Sequence, residues 1–147
     1  MTATTRTISI KKMYRPLFNA TEQRYILLTG GRNSAKSFTA SLAEAVALTH
    51  QVPHKTLFTR YTLSSAHISI IPEFQDKLDL SGLAPQFTAS NNTITHTATG
   101  NSIIFAGIKT SSGNQTAKLK SIPGLSRFVV DEAEEFRDEV AFDTIDF

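Results

Sequence analysis

Eight consecutive residues could hold a phosphate: Gly30-Gly31-Arg32-Asn33-Ser34-Ala35-Lys36-Ser37. They follow an apolar run, Tyr25-Ile26-Leu27-Leu28, and precede a segment with helical periodicity. Strand, glycine-rich turn, Lys-Ser and helix is the layout of a phosphate-binding loop. Such a loop points several backbone N–H groups into one concavity, and the helix dipole adds positive charge there. In this layout Lys36 reaches the β- and γ-phosphates of ATP, and the Ser37 hydroxyl binds Mg²⁺. Ala35 departs from the pattern, standing where the second glycine belongs. A negative φ there accommodates the methyl group, whereas a positive φ costs about 1 kcal/mol. The plainer alternative is a strand, turn and helix with a surface lysine.

A second group supplies acids. Phe128-Val129-Val130 is an apolar run ending in Asp131-Glu132. A buried strand of this kind delivers an aspartate to the Mg²⁺ shell, and a following glutamate can take a proton from the attacking water. Asp131 and Glu132 fit those two roles in order, with Glu134 and Glu135 as the next candidates for the base. Acids decorating a helix N-terminus are the competing explanation. The two motifs in the right order favour the nucleotide site.

The elements that must position these groups are an α/β set. A helix is expected from Ser37 to about Thr49, with Phe38, Leu42, Ala45 and Val46 on one stripe and Pro53 beyond its end. A strand follows over Lys55 to Arg60. Arg60 is either a charge near the site or, by slight preference, a solvated strand end. A helix around 65–80, capped by Ser64 or Ser65, would turn Ile68, Ile71, Phe74 and Leu78 inward, with Pro72 kinking it and Ser81-Gly82 stopping it. Residues 87–107 read as a β-hairpin about the turn Thr99-Gly100-Asn101. Residues 108–120 read as an exposed loop made basic by Lys109, Lys118 and Lys120. A short helix is expected after Glu135, from Phe136 to about Ile145. Upstream, Thr7 to Ile10 alternates weakly like a strand. Tyr14 and Gln23 are candidates to hold an adenine, and packing of Tyr14 and Phe18 on the sheet edge is the stronger alternative. The expected fold is a three-layer P-loop sandwich. The 26–29 and 128–131 strands would be adjacent and parallel, and a β-hairpin would be inserted at about 92–107.

Composition narrows the function classes. The 147 residues are one domain or part of one, with 40% hydrophobic and 19% charged residues, an ordinary globular mixture. The net charge of +2 makes no bulk electrostatic case for nucleic acid, so any DNA contact would come from a local patch. With no cysteine there is no disulfide framework and no thiolate metal site. The four histidines, His50, His54, His67 and His96, show no ligand spacing. No apolar run approaches the roughly 18 residues of a membrane span. Three strands of the expected sheet are legible, around 26, 57 and 129, so residues 1–147 read as the N-terminal part of a larger ATPase domain.

The sequence resembles the large terminase subunit of tailed bacteriophages over about residues 14–140. The resemblance is carried by Tyr25 to Ser37 with its Gly30-Gly31-Arg32 opening, and by Ile103-Ile104-Phe105-Ala106-Gly107. Lys118-Leu119-Lys120-Ser121-Ile122-Pro123-Gly124 and Arg127 to Phe136 complete it. It implies an ATPase of the additional-strand, catalytic-glutamate type, with Asp131 on Mg²⁺, Glu132 activating water and Arg32 stabilising charge. It also implies coupling of ATP hydrolysis to translocation of double-stranded DNA into a procapsid in the host cytoplasm. The implied partners are a portal protein, a small terminase subunit and further copies in a ring-shaped homo-oligomer, with no membrane. The family's coupling motif and nuclease do not fall within these residues, so nuclease activity is not carried over. Another P-loop NTPase, such as a helicase-like translocase or a small kinase, and a nucleotide-binding fragment without turnover stay open.

Overall fold

A computed structural model of the chain describes residues 6–19, 23–109, 119 and 121–135. Its framework is one mixed sheet of five strands. These are β1 (Lys55–Thr62), β2 (Phe87–Ser90), β3 (Thr93–His96), β4 (Ser102–Lys109) and β5 (Arg127–Val130), in the order β2-β3-β4-β1-β5. β1 runs parallel to both β4 and β5. The β2-β3-β4 stretch is an antiparallel meander. The expected 92–107 hairpin is there as β3 and β4, but it is no insertion, because β4 lies inside the sheet against β1.

The central strands are apolar for a reason visible in their neighbours. Thr56, Leu57, Phe58 and Thr59 of β1 are all buried, as a strand covered on both faces requires. On one face Phe58, Ile103 and Phe105 meet Ala45, Leu48, Ile70, Phe74 and Leu78. Three phenylalanine rings meet there, Phe58 tilted against Phe105 at 5.9 Å and Phe74 edge-on to Phe105 at 5.6 Å between centroids. This face carries both long helices, α1 (Lys36–Leu48) and α2 (Ile71–Ser81). On the other face Leu57 and Ala106 pack against Leu119, Ile122, Leu125 and Phe128. On that side Leu119 is helical, and the remaining described chain that covers the sheet, residues 121–126, is irregular.

α1 matches the sequence expectation within a residue. Its burial is wider than one stripe, and even Glu44 is buried. Glu44 accepts hydrogen bonds from Thr56 Oγ1 at 2.6 Å and from Arg127, and His54 Nε2 lies 3.4 Å away. Burial alone would raise its carboxyl. The His54 contact, the Arg127 charge and the Thr56 hydrogen bond outweigh burial and hold it below the usual carboxylate range.

The stretch before α2 departs from its expected phase. Thr62 caps it, accepting from Ser65 N at 3.2 Å, in place of Ser64 or Ser65. A π-turn (Ala66–Ile70) then precedes Pro72. Proline has no N–H to give to the preceding turn, and a wider turn absorbs that mismatch. Ala66, Ile70, Phe74 and Leu78 therefore face inward, while Ile68 is exposed. Gly107 allows the β1 to α2 junction to sit on β4, since a Cβ there would lie 2.1 Å from Leu63 N. Gly82 (φ 73) ends α2 as expected.

Two expected strands are absent. Residues 6–10 form none, and neither do residues 23–30, the lead-in to the glycine-rich loop. Ile26 and Leu27 are exposed. The neighbour of β5 is β1, not the 26–29 segment. A continuous apolar run becomes a parallel strand only when a neighbour takes its backbone hydrogen bonds, and no described strand does so here. The expected helix at 136–145 and the lysines at 118 and 120 lie outside the described residues. Lys109 is exposed at the end of β4. No helix among the described residues is long and apolar enough to cross a membrane.

One side chain ties α1 to the sheet. Asn101 Nδ2 donates to Leu48 O, His50 O and Val52 O, and its Oδ1 accepts from His54 N at 2.8 Å. It is 5% exposed. Asn101→Ala takes a partner from His50 O, Val52 O and His54 N, which are only partly buried, while Leu48 O keeps its bond from Thr99 Oγ1 at 2.9 Å, and should cost about 2 kcal/mol of unfolding free energy. Urea denaturation checks this, and a loss under about 1 kcal/mol would mean that water replaces the side chain.

Candidate nucleotide site

The loop of residues 30–37 enters α1 through a turn that needs two left-handed residues, Asn33 (φ 61) and Ala35 (φ 67). Asparagine adopts that conformation readily, but alanine does not. The negative φ that would have suited Ala35 is thus not what the loop uses. Gly30 has φ 145, open to glycine almost alone. The first amides of α1 have no intrahelical acceptor by construction.

The Lys36 ammonium is drawn into its own loop. Nζ donates to Gly30 O, to Gly31 O at 3.1 Å and to Ser34 Oγ at 3.1 Å. The acceptors are neutral, so a phosphate entering the loop would offer this cation a stronger partner. Gly30, Gly31, Arg32 and Asn33 are exposed, and Ser34, Ala35, Lys36 and Ser37 are half-buried. Tyr14 braces the loop from below. It is 3% exposed, and its hydroxyl donates to Ser34 O at 2.9 Å. That buries Tyr14 under the loop instead of at the sheet edge, and does not present its ring to a base. Gln23 is exposed.

The two motifs meet. Ser37 Oγ donates to Asp131 Oδ1 at 3.0 Å across 94 positions of chain. Asp131 is placed by the sheet, since its N–H continues the β5 ladder to Thr59 O at 2.9 Å. Burial raises the Asp131 carboxyl, and the neighbouring Glu132 and Glu134 charges add to that. The Ser37 hydrogen bond and the Arg60 charge pull it down, with the net shift upward. Glu132 follows in a left-handed conformation (φ 53), which turns its side chain off the strand direction. Glu134 and Glu135 sit in a short 3₁₀ turn, Ala133–Glu135.

Arg60 is the residue that the sequence reading misplaced. It is no solvated strand end. Its side chain is 13% exposed, with Nε 3.3 Å from Asp131 Oδ2 and NH2 paired with Glu132 Oε2. The usable signal was its position. Ligand sites in parallel sheets gather at the carboxyl ends of strands, and Arg60 ends an apolar run as Asp131 does. Glu73 of α2 also feels this site. Burial raises its carboxyl, Lys77 opposes that, Asp131 raises it further and Arg60 lowers it.

Among the described residues no three of His, Cys, Asp and Glu form a cluster able to hold a metal by themselves. The Ser37 and Asp131 oxygens do suit a hard cation that arrives with phosphates and takes only one or two protein ligands.

A family model described as phage terminase large subunit matches residues 22–146. The chain belongs to that family. The match includes both the loop of residues 30–37 and the acid pair Asp131-Glu132. No curated protein matches the chain. Its α/β architecture with a five-stranded mixed sheet is consistent with a Rossmann-like, nucleotide-binding type of fold.

The loop geometry can be tested directly. Ala35→Gly removes the left-handed strain and should raise stability by about 0.5 kcal/mol, after glycine's greater unfolded-state entropy is subtracted. The unfolding midpoint should rise by about 1–2 °C in calorimetry. An unchanged or lower midpoint would mean that residue 35 is not left-handed in solution.

Proposed function

We propose that this chain is the ATP-binding and ATP-hydrolysing part of a DNA-packaging motor, a P-loop ATPase of the additional-strand, catalytic-glutamate type. The observation that carries the reading is the Ser37 to Asp131 contact. It joins a phosphate-type loop to the acid of a distant strand, and membership in the terminase large-subunit family supports it.

The chemistry follows from the residues. ATP phosphates take the amides of 33–37, and Lys36 exchanges its loop carbonyls for the β- and γ-phosphate oxygens. Ser37 and Asp131 would hold Mg²⁺, which would screen the phosphate charge. Glu132 accepts the proton of a water whose oxygen attacks the γ-phosphorus. The bond from that phosphorus to the bridging oxygen breaks, and ADP leaves with that oxygen. Arg32, exposed on the loop, offers charge to the oxygens of the transferring group. In the whole motor this hydrolysis would drive translocation of double-stranded DNA into a procapsid. A portal protein, a small terminase subunit and further copies in a ring would be the partners, in the host cytoplasm.

Two variants test the reading. Lys36→Ala removes the cation aimed at the phosphates and should weaken ATP binding by about 100-fold or more in calorimetric titration. Binding equal to the parent's would remove residues 30–37 as a phosphate site.

Glu132→Gln should keep Mg·ATP binding and slow phosphate release by about 10²–10⁴-fold, because the amide cannot take the water's proton. Asp131→Asn should in addition raise the Mg²⁺ concentration needed for turnover. If Glu132→Gln turns over at the parent's rate, water activation belongs to Glu134, Glu135 or Glu73.

A further inference from the structure

Arg60 stands where a cation is needed before any metal arrives. One guanidinium touches both acids of the site and a third group as well. Its NH1 donates to Ser69 Oγ at 2.6 Å, and Ser69 Oγ donates to Ser65 O at 2.8 Å. Ser69 belongs to the π-turn Ala66–Ile70, the widened turn that turns Ala66 and Ile70 into the core and leaves His67 and Ile68 outside. Ser69 is thus held by its own helix and in turn holds Arg60, independently of the acids. Arg60 itself rises from β1, beside β5, so the parallel register brings it to Asp131.

The two acid contacts are unequal. The Glu132 contact is the closer. Toward Asp131 the approach is 3.3 Å, and the buried Arg60 Nε makes no hydrogen bond among the described residues. Asp131 already accepts from Ser37 on its other oxygen.

We propose that Arg60 is the resident counter-ion of Asp131 and Glu132, positioned by Ser69, and that it competes with the divalent cation for Asp131. The proposal rests on the reading of Asp131 as the metal carboxylate. The charges decide its direction. Two carboxylates leave −2, which the guanidinium reduces to −1. A divalent ion arriving beside that guanidinium meets like charge at close range, where repulsion is strong in a partly buried site. The weaker Asp131 contact yields first. The Ser69 and Glu132 contacts persist, so Arg60 remains to orient Glu132. Arg60 therefore lowers the site's affinity for the cation while it stabilises the cation-free protein. A purely structural strap between β1 and β5 would stabilise the protein equally with and without metal.

The test compares the parent with Arg60→Gln, Arg60→Lys and Ser69→Ala. The Mg²⁺ concentration for half-maximal ADP binding is measured by titration, and unfolding midpoints are measured in EDTA and in Mg·ADP. Arg60→Gln should lower the Mg²⁺ midpoint by about fivefold or more. It should also lose more stability in EDTA than in Mg·ADP. Ser69→Ala should move the Mg²⁺ midpoint the same way by about twofold. Arg60→Lys keeps a charge without the fork and should fall between the parent and Arg60→Gln. A parent-like Mg²⁺ midpoint in Arg60→Gln overturns the proposal while leaving the nucleotide reading intact. If Arg60→Gln does not fold, Arg60→Lys carries the same comparison. If the parent binds no ADP at any Mg²⁺ concentration, the nucleotide reading fails by itself. The counter-ion role is then decided in EDTA by a double-mutant cycle of Arg60→Gln with Glu132→Gln, where additive losses overturn it.

Discussion

The parallel pairing of β1 with β5 decides what can meet at the carboxyl end of this sheet. Thr59 lies opposite Val130, so the next residues, Arg60 and Asp131, emerge side by side. A slip of one residue would turn every side chain of β5 to the opposite face. Val129 would leave the core with Phe58, and Asp131 would leave Ser37. Burial of Leu57, Phe58, Phe128 and Val129 on alternate faces therefore fixes the site as firmly as the site's own polar contacts do. The packing of α1 on the same sheet completes the geometry, since Ser37 lies in its first turn.

The two ends of the sheet use arginine and glutamate differently. At the amino end Glu44 is nearly sealed, and Thr56, His54 and Arg127 satisfy it together. Buried charge of this kind is tolerable only when every partner is present, and here the partners come from α1, β1 and β5 at once. At the carboxyl end Arg60 is almost as buried, but its acids are not. Glu132 is about half exposed at its side chain, and Asp131 is lifted toward neutrality by burial and by its acidic neighbours. The first arrangement is saturated and has nothing left to bind. The second leaves carboxylate oxygens that a further cation could use, which separates a structural cluster from a site.

Much of this was legible in the residues, and the failures share a cause. The loop at 30–37, α1, β1, the 87–107 strands and the acid pair follow from local signals: glycines, periodicity and apolar runs. The readings that failed needed tertiary knowledge. Residues 25–28 have strand composition, but composition does not supply a pairing partner. Ile68 has the right spacing for the core of an uninterrupted helix, and the π-turn before Pro72 moves that phase to Ile70. Arg60 looked like a strand end because its two acids lie some seventy positions away. Tyr14 was a candidate for a base or for packing, and only the fold shows its hydroxyl on Ser34 O.

Strain marks the same region from another direction. Among the described residues the non-glycine positions with positive φ are Asn33, Ala35, Asn91 and Glu132. Asn91 is accounted for by the β2 to β3 turn, where asparagine is at home. The other three lie in the loop of residues 30–37 and the acid pair. Each side chain other than asparagine held this way costs of order 1–2 kcal/mol, and persists only when its surroundings fix it. Ala35 is fixed by its carbonyl, which accepts both Thr39 N–H and Thr39 Oγ1–H in the first turn of α1. Glu132 is fixed by Arg60 on its side chain and by Glu135 N–H on its carbonyl. Neither conformation is needed to fill the core, since Ala35 and Glu132 lie outside both hydrophobic clusters. Their strain is maintained at the loop of residues 30–37 and at the residue after Asp131, the two segments that the Ser37 to Asp131 hydrogen bond joins.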